Sequence, residues 1–292
     1  MSNNPAFRSV ALIGRYNTPA SAGALAQLGE FLASRGCRVL MEQDTADSCG
    51  VTGLALASYD TIGTECDLAV VLGGDGSMLS AARQLAAHSV PLIGINHGRL
   101  GFMTDIAAGT MLETLGEVLD GKFSIEERTM LSAKVVRAGD TIFSTLALND
   151  VVVNKGAVGR LIEFLVRIDG EFVYDLRSDG LIVATPTGST AYALSSNGPI
   201  LQPSMPGFAL VPICPHTLSN RPITVSENSR IEVVLKRSID ARLHFDGQPQ
   251  CDLHEEDHVL VTRADQKIRF VHPPGYSYFA MLREKLHWSE MH

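Results

Sequence analysis

One run constrains the fold of this chain more than any other: Asp67-Leu68-Ala69-Val70-Val71-Leu72-Gly73-Gly74-Asp75-Gly76-Ser77-Met78-Leu79. The apolar residues Leu68 to Leu72 read as a strand buried on both faces, and the switch to Gly-Gly-Asp-Gly-Ser reads as a tight loop at its carboxyl end. A helix is expected next, because Met78, Leu79, Ala81, Ala82, Leu85 and Ala86 recur with helical spacing, with Ser77 as its cap. Glycines at 73, 74 and 76 permit positive φ and a close ligand approach, and a helix start offers N–H donors to phosphate. Asp75 is the odd member. An acid beside a phosphate repels it unless the acid holds a metal, takes a proton from a nucleophile, or does both. The run is neither G-x-x-x-x-G-K-[ST], since no Lys follows, nor G-x-G-x-x-G, since Leu79 stands at the third glycine position. A plain strand-to-helix turn is the other reading of the same residues.

With 292 residues and a hydrophobic share of 45%, the chain can fill one large core or two ordinary ones. Its formal net charge of -8 argues against a broad basic face for nucleic acid. The five cysteines, Cys37, Cys49, Cys66, Cys214 and Cys251, are scattered and never spaced C-x-x-C, as expected for reduced thiols in the cytoplasm. No stretch has the length of a membrane span, and the start lacks the pattern of a signal peptide.

Before the central run, Val10 to Ile13 reads as a strand, Ala20 to Ser34 as a helix ended by Gly36, and Arg38 to Met41 as a second strand. A polar stretch with Asp44, Asp47, Cys49 and Gly50 and a weaker helix lead into the run. After it come a strand over Val90 to Ile95, ending in Asn96-His97-Gly98-Arg99-Leu100-Gly101-Phe102, and a helix over Met111 to Leu119 stopped by Gly121. Alternating strands and helices predict a parallel sheet with ligands at the carboxyl ends of its strands, which puts loops 73–77 and 96–102 on one edge. Beyond Met130 the pattern changes to short β-branched or alternating runs. These are Ala133 to Arg137, Thr141 to Leu148, Val151 to Val153, Leu161 to Ile168, Phe172 to Asp175, Leu181 to Ala184, Ile231 to Leu235, Leu243 to Phe245, Val259 to Val261 and Ile268 to Val271. They predict an all-β sandwich, with Asp169-Gly170 as a hairpin turn. The expected division is an α/β domain over 1–125, a β-rich domain over 126–276, and a helical tail over 277–292 that packs back on the first domain.

Polar residues cluster at strand ends in the second domain. Asn149-Asp150 interrupts the apolar run from Leu146 to Val153, where the pair either meets vicinal hydroxyls such as those of a ribose or caps a β-bulge. Arg177-Ser178-Asp179-Gly180 precedes a buried strand. Thr185-Pro186-Thr187-Gly188-Ser189-Thr190-Ala191-Tyr192 sets small hydroxyl residues around a glycine ahead of a helical stretch, which offers donors to phosphate and an aromatic face to a base. His254-Glu255-Glu256-Asp257-His258 satisfies H-E-x-x-H. Without apolar helical periodicity, and with a strand at Val259 to Val261, a solvated turn is expected there instead of a zinc helix. Gly188-Ser189-Thr190 lacks the spacing of a nucleophile elbow.

Taken together, Gly73-Gly74-Asp75-Gly76, Gly94-Ile95-Asn96, Gly98, Gly101-Phe102, Asn149-Asp150, Ser178-Asp179-Gly180, the stretch from Thr185 to Tyr192, Asp246-Gly247-Gln248 and Tyr276-Ser277-Tyr278-Phe279 resemble the bacterial NAD kinases over nearly the whole chain. The Gly-Gly-Asp-Gly element alone is shared with lipid kinases and phosphofructokinases; the combination is far more specific. The resemblance implies a Rossmann-like α/β domain followed by an all-β sandwich. It also implies transfer of the γ-phosphoryl group of ATP, with Mg2+, to the 2'-hydroxyl of the adenosine ribose of NAD, giving NADP. On that basis Asp75 takes the proton of the hydroxyl, and the backbone of Gly73, Gly74 and Gly76 holds phosphates. Asn149 and Asp150 contact ribose hydroxyls; Asp179, Thr187 and the segment Thr190, Ala191, Tyr192, Ala193, Leu194 and Ser195 contact the nicotinamide half and adenine. Gln248 lies nearby, and Arg160 and Arg177 fall at positions that contact the dinucleotide in family members.

Two departures matter: Asp150 stands where the family usually has Glu, and Arg177 stands where some members have His and is the group linked to preference for NAD over NADH. A homodimer or homotetramer is a further implication. A kinase of lipid or sugar hydroxyls and a non-catalytic dinucleotide sensor are the competing readings; the acid at 75 favours an enzyme.

Overall fold

The computed structural model describes residues 5–14, 21–96, 98, 101–156, 160–217 and 219–288. It divides into two compact units, one of residues 1–127 and 268–292 and one of residues 128–267. Ala20, His97, Arg99 and Leu100, named above, lie outside the described residues.

In chain order the first unit contains β1 (Ser9–Gly14), α1 (Ala22–Ser34), β2 (Arg38–Glu42), α2 (Gln43–Cys49), β3 (Ala55–Ala57), α3 (Tyr59–Glu65), β4 (Leu68–Leu72), α4 (Asp75–Leu85), β5 (Leu92–Asn96), β6 (Ile106–Ala107) and α5 (Met111–Leu119). The strands run parallel in the order β3-β2-β1-β4-β5. All five residues of β4 are buried, as its unbroken apolar run requires of a central parallel strand. Leu68, Val70 and Leu72 share a core with Leu25, Leu28 and Leu32 of α1 and Leu115 and Val118 of α5. The order of the strands reverses direction between β1 and β4, so the loop after β4 stands at the position where open α/β sheets bind ligands.

Two expectations change here. The polar stretch after β2 is a helix: the Glu42 side chain accepts from the N–H groups of Asp44 and Thr45, and Gly50 closes it at φ 67°. A third strand, β3, then precedes α3.

The second unit carries β7 (Ser124–Arg137), β8 (Asp140–Ala147), β9 (Asp150–Lys155), β10 (Ile162–Ile168), β11 (Glu171–Ser178), β12 (Gly180–Ala184), α6 (Tyr192–Ser195), β13 (Gly207–Ile213), β14 (Ile223–Ser226), β15 (Ile231–Arg237), β16 (Ala241–Phe245), β17 (Gln248–Leu253) and β18 (His258–His272). β7 begins, and β18 ends, in residues of the first unit, which α7 (Tyr278–Leu286) completes. One antiparallel sheet has the order β14-β13-β12-β9-β16-β17. The other includes β11-β10-β15-β18 with β7 and β8.

The period of two decides what each face does. Val151, Val153, Leu181, Val183, Leu243 and Phe245 point into the core shared with the opposite sheet, with Phe164 and Val233. Val152, Ile182 and Ala184 point outward and are covered by Ala193 and Leu201. The segment from Thr185 to Leu201 is therefore held against the outer face of the six-stranded sheet.

Asp169-Gly170 turns with φ 53° and 87°, the two positive values of a type I' hairpin. Three strands, β13, β14 and β17, lie where no strand is expected from the sequence, and the two runs from Val259 and Ile268 are parts of the single β18. The H-E-x-x-H stretch is a turn. Asp257, fully buried, takes two bonds from Arg137, at 2.8 and 2.7 Å, and one from the His254 N–H. Burial raises the pKa of this carboxyl, yet the Arg137 and backbone bonds leave it below its ordinary value.

Candidate functional site

The loop after β4 is built differently from its expected form. None of Gly73, Gly74 and Gly76 has positive φ; Gly74 is extended at φ -100°. The helix begins three residues early, at Asp75, with Gly74 as its cap in place of Ser77, and the Ser77 N–H bonds to the Gly74 carbonyl at 2.9 Å. A side chain at Gly74 or Gly76 would meet no atom within 4 Å, so these glycines keep the space over the helix start open. The N–H groups of Asp75 and Gly76, at the very start of the helix, have no acceptor within it.

Asp75 bends back across the loop. Its Oδ2 accepts from the Phe102 N–H at 2.9 Å and its Oδ1 from the Met103 N–H at 3.0 Å. Thr104 Oγ1, itself bonded by Asn96 Nδ2 at 3.0 Å, accepts from the Gly101 N–H at 2.9 Å. A methyl group on Gly101 would lie 2.6 Å from Thr104 Oγ1 and 2.8 Å from Asp75 Cγ, so only glycine fits between them. The loops after β4 and β5 thus meet at one edge of the first unit, through side chains far apart in sequence.

In the second unit a hollow of about 430 Å3 opens beside the start of β9, lined in part by Asn149, Asp150, Ala191, Tyr192, His244 and Asp246. Asp246-Gly247 is the two-residue turn between β16 and β17, with φ 49° and 80°. Its carboxylate accepts from the backbone N–H groups of Leu148, Asn149 and Asp150 at 3.2, 2.7 and 3.3 Å, so the backbone under Asn149-Asp150 is held by a residue almost a hundred positions away. Thr185 adds a hydroxyl bond to the Leu148 carbonyl at 2.5 Å and an N–H bond to the Asn149 carbonyl at 2.9 Å. Gly188 lies so close that a methyl group there would come within 2.6 Å of the Asn149 Cα.

Asn149 and Asp150 are 8% and 3% exposed, and Oδ1 of each is buried with no hydrogen-bond partner. Burial, and then the Asp246 charge, push the Asp150 carboxyl up to about 7. Burial also lowers the His244 imidazole, helped by Arg242. The Tyr192 phenol is raised by burial and by Cys214, Asp179 and Asp150.

Other residues singled out by sequence are placed elsewhere. Arg128, buried, bonds Thr187 Oγ1 at 3.2 Å, and Thr190 bonds the Thr187 carbonyl at 3.1 Å. Ala193 packs in the core above Val152 and Ile182. Ser195 lines a second hollow of about 560 Å3 with Asn197, Cys214 and Arg221. Asp179 pairs with Lys155 at 2.7 Å, and Arg177, exposed, stands 3.8 Å from Glu163. Arg160 and Gln248 are exposed, and Leu194 is half-buried. The roles of Asp246 and His244 at the hollow are not legible in the sequence, where Asp246 enters only through the family resemblance of Asp246-Gly247-Gln248.

Two family descriptions cover most of the chain: the ATP-NAD kinase N-terminal domain matches residues 10–123, and the ATP-NAD kinase C-terminal domain matches residues 148–273. The chain belongs to the ATP-NAD kinase family. Among its relatives, the NAD kinase of Aromatoleum aromaticum is 60% identical over 290 residues, spanning 99% of this chain and 96% of the other. The NAD kinase of Azoarcus sp. is 56% identical over 97% of each chain. Yeast NADH kinase, solved in complex with NADH, superposes with a TM-score of 0.90 at 28% identity, covering 99% of this chain and 90% of its own. An NAD kinase from Archaeoglobus fulgidus in complex with ATP gives 0.76 at 25% identity, covering 96% of this chain and 98% of the other. Like these ATP-NAD kinases, the chain joins an α/β unit to an antiparallel β unit. No described helix is long and apolar enough to cross a membrane.

Proposed function

We propose that, in the transfer of the γ-phosphoryl group of ATP to the 2'-hydroxyl of NAD, Asp75 takes the proton of that hydroxyl and Asn149 and Asp150 contact ribose hydroxyls. The product is NADP. One observation carries the reading: Asn149 and Asp150, each with a buried Oδ1 that has no partner, line a space of about 430 Å3. Buried polar atoms are otherwise satisfied in proteins, and a vicinal diol supplies the missing donors. Tyr192, at the rim, offers a face to an aromatic ring.

A secondary alcohol is a poor nucleophile while it keeps its proton, and Asp75 is the acceptor we assign. Its two backbone bonds fix the carboxylate's direction and leave lone pairs for that proton. The open start of α4 receives phosphate oxygens. Mg2+ would arrive on the ATP phosphates, with the Asp75 carboxylate able to hold it. The ion would neutralise charge on the transferred group.

Thr187, Thr190, Ala191 and Ser195 serve the dinucleotide mainly through backbone and hydroxyl groups. Ala193 and Leu194 support that segment from behind. Asp179, Arg160, Arg177 and Gln248 form its outer contacts. The five free cysteines agree with residence in the reducing cytoplasm, and a homodimer or homotetramer is expected.

The test is NADP formation from NAD, ATP and Mg2+ by the purified protein beside Asp75→Asn. Turnover should fall by about a thousandfold while the dissociation constant for NAD stays within about threefold. Full activity in the variant would remove Asp75 from the chemistry.

A further inference from the structure

We infer that His272 is a positioning residue for Asp75, acting as a doubly bonded imidazolium that pins the segment gripping the Asp75 carboxylate. His272 ends β18 and is 3% exposed. Its Nδ1 meets Asp105 Oδ2, and its Nε2 lies 3.0 Å from Glu126 Oε2. A carboxylate only accepts, so an imidazolium that donates from both ring nitrogens satisfies both contacts at once. The Tyr276 ring stacks on it at 3.7 Å with an interplanar angle of 6°. Among the described residues the titratable groups facing His272 are Asp105 from the chain before β6, Glu126 from β7 and Tyr276 from the chain after β18. Phe270 adds an apolar ring at 6.4 Å.

Asp105 follows directly on the residues that hold Asp75. Phe102 and Met103 donate to the carboxylate, Thr104 is bonded by Asn96 and by Gly101, and Ile106 pairs with Ile95. Within this short segment the His272 bond is the anchor whose strength depends on an imidazole proton. Burial by itself lowers the imidazole pKa, but the bonds to Asp105 and Glu126 outweigh it and leave it above the ordinary value of 6.5. When that proton leaves at higher pH, one ring nitrogen turns a lone pair towards a carboxylate in a buried site. The contact becomes repulsive, residues 101–105 loosen, and Asp75 loses its fixed direction.

The inference rests on Asp75 as proton acceptor, and its test separates the two ideas. Hydrogen exchange at the Phe102 and Met103 amides is measured across pH for wild type and His272→Asn, together with kcat and KM for NAD. In wild type, protection and kcat should fall together as pH rises past the imidazole range. His272→Asn keeps a donor towards Asp105 but has no proton to lose. It should lower kcat about tenfold, leave KM within about twofold and abolish the alkaline limb. Unchanged protection and kcat in the folded variant, or an alkaline limb that survives in it, would overturn the proposal.

If His272→Asn does not fold, Glu126→Gln serves instead. Removing that charge should move both the His272 Cε1 proton titration and the alkaline limb to lower pH, and no movement counts against the clamp. A wild type that forms no NADP sinks the functional reading, while the exchange data still judge the clamp.

Discussion

Asp75 and Asp150 are both acids beside a strand end, and the fold treats them in opposite ways. Asp75 is half-buried, with each carboxylate oxygen bonded to a backbone N–H. Asp150 is almost fully buried and has an oxygen with no partner. The first is oriented before any ligand arrives, as a group that must act on a proton needs to be. The second is short of a donor, a cost that ribose hydroxyls would relieve under the proposed function. Site preorganisation and site hunger are thus divided between the two units.

The strongest way to break this contrast is to replace each acid by its amide and compare stability without ligand. Raising Asp150 from 3.8 to about 7 disfavours the folded state increasingly as pH climbs through that window, because the unfolded chain ionises first. Asp150→Asn should therefore stabilise the free protein at pH 8, by up to about 4 kcal/mol, and change little near pH 4. Asp75→Asn should destabilise it by about 1–3 kcal/mol, since one backbone N–H loses its acceptor. Urea denaturation at both pH values checks the pair, and shifts of the same sign would end the contrast.

A smaller effect is expected from Gly188→Ala. Its methyl group must displace the Asn149 backbone, so stability should drop by about 1–3 kcal/mol and NAD binding should weaken with it. Retained affinity in isothermal titration would separate the Thr185 segment from the hollow. Smallest of all is Arg177→His, which is expected to change the ratio of kcat/KM for NAD over NADH only a few-fold, because this side chain is exposed and its Glu163 contact is long. An unaltered ratio would remove Arg177 from cofactor choice.

Much of the fold is legible in the chain because its signals are local. β4, α5 and the Asp169-Gly170 turn follow from apolar runs, helical spacing and turn chemistry within a few residues. The unexpected strands have physical reasons. β13 carries Pro212, tolerated because β14 pairs only with Gly207 to Leu210 and leaves the proline side unpaired. β17, Gln-Pro-Gln-Cys-Asp-Leu, has almost no apolar pattern. β18 is split in the sequence by the exposed Asp265, Gln266 and Lys267, although its backbone continues.

By itself the sequence determined the order of the two units and the buried strand and following helix around Asp75, though not the loop's backbone or the helix start, and it named Asn149, Asp150 and Tyr192 as candidates for one site. These rest on short-range pattern, where each residue's neighbours in the chain decide its state. Only the tertiary structure decided that Asp246 props the backbone beneath Asn149-Asp150, that Asp75 is held by Phe102 and Met103, and that His272 lies between Asp105 and Glu126. Each of these contacts joins residues from about 27 to 167 positions apart. Hydrogen bonds over such separations exist only once the sheets have packed and brought the side chains within reach, so no local signal announces them.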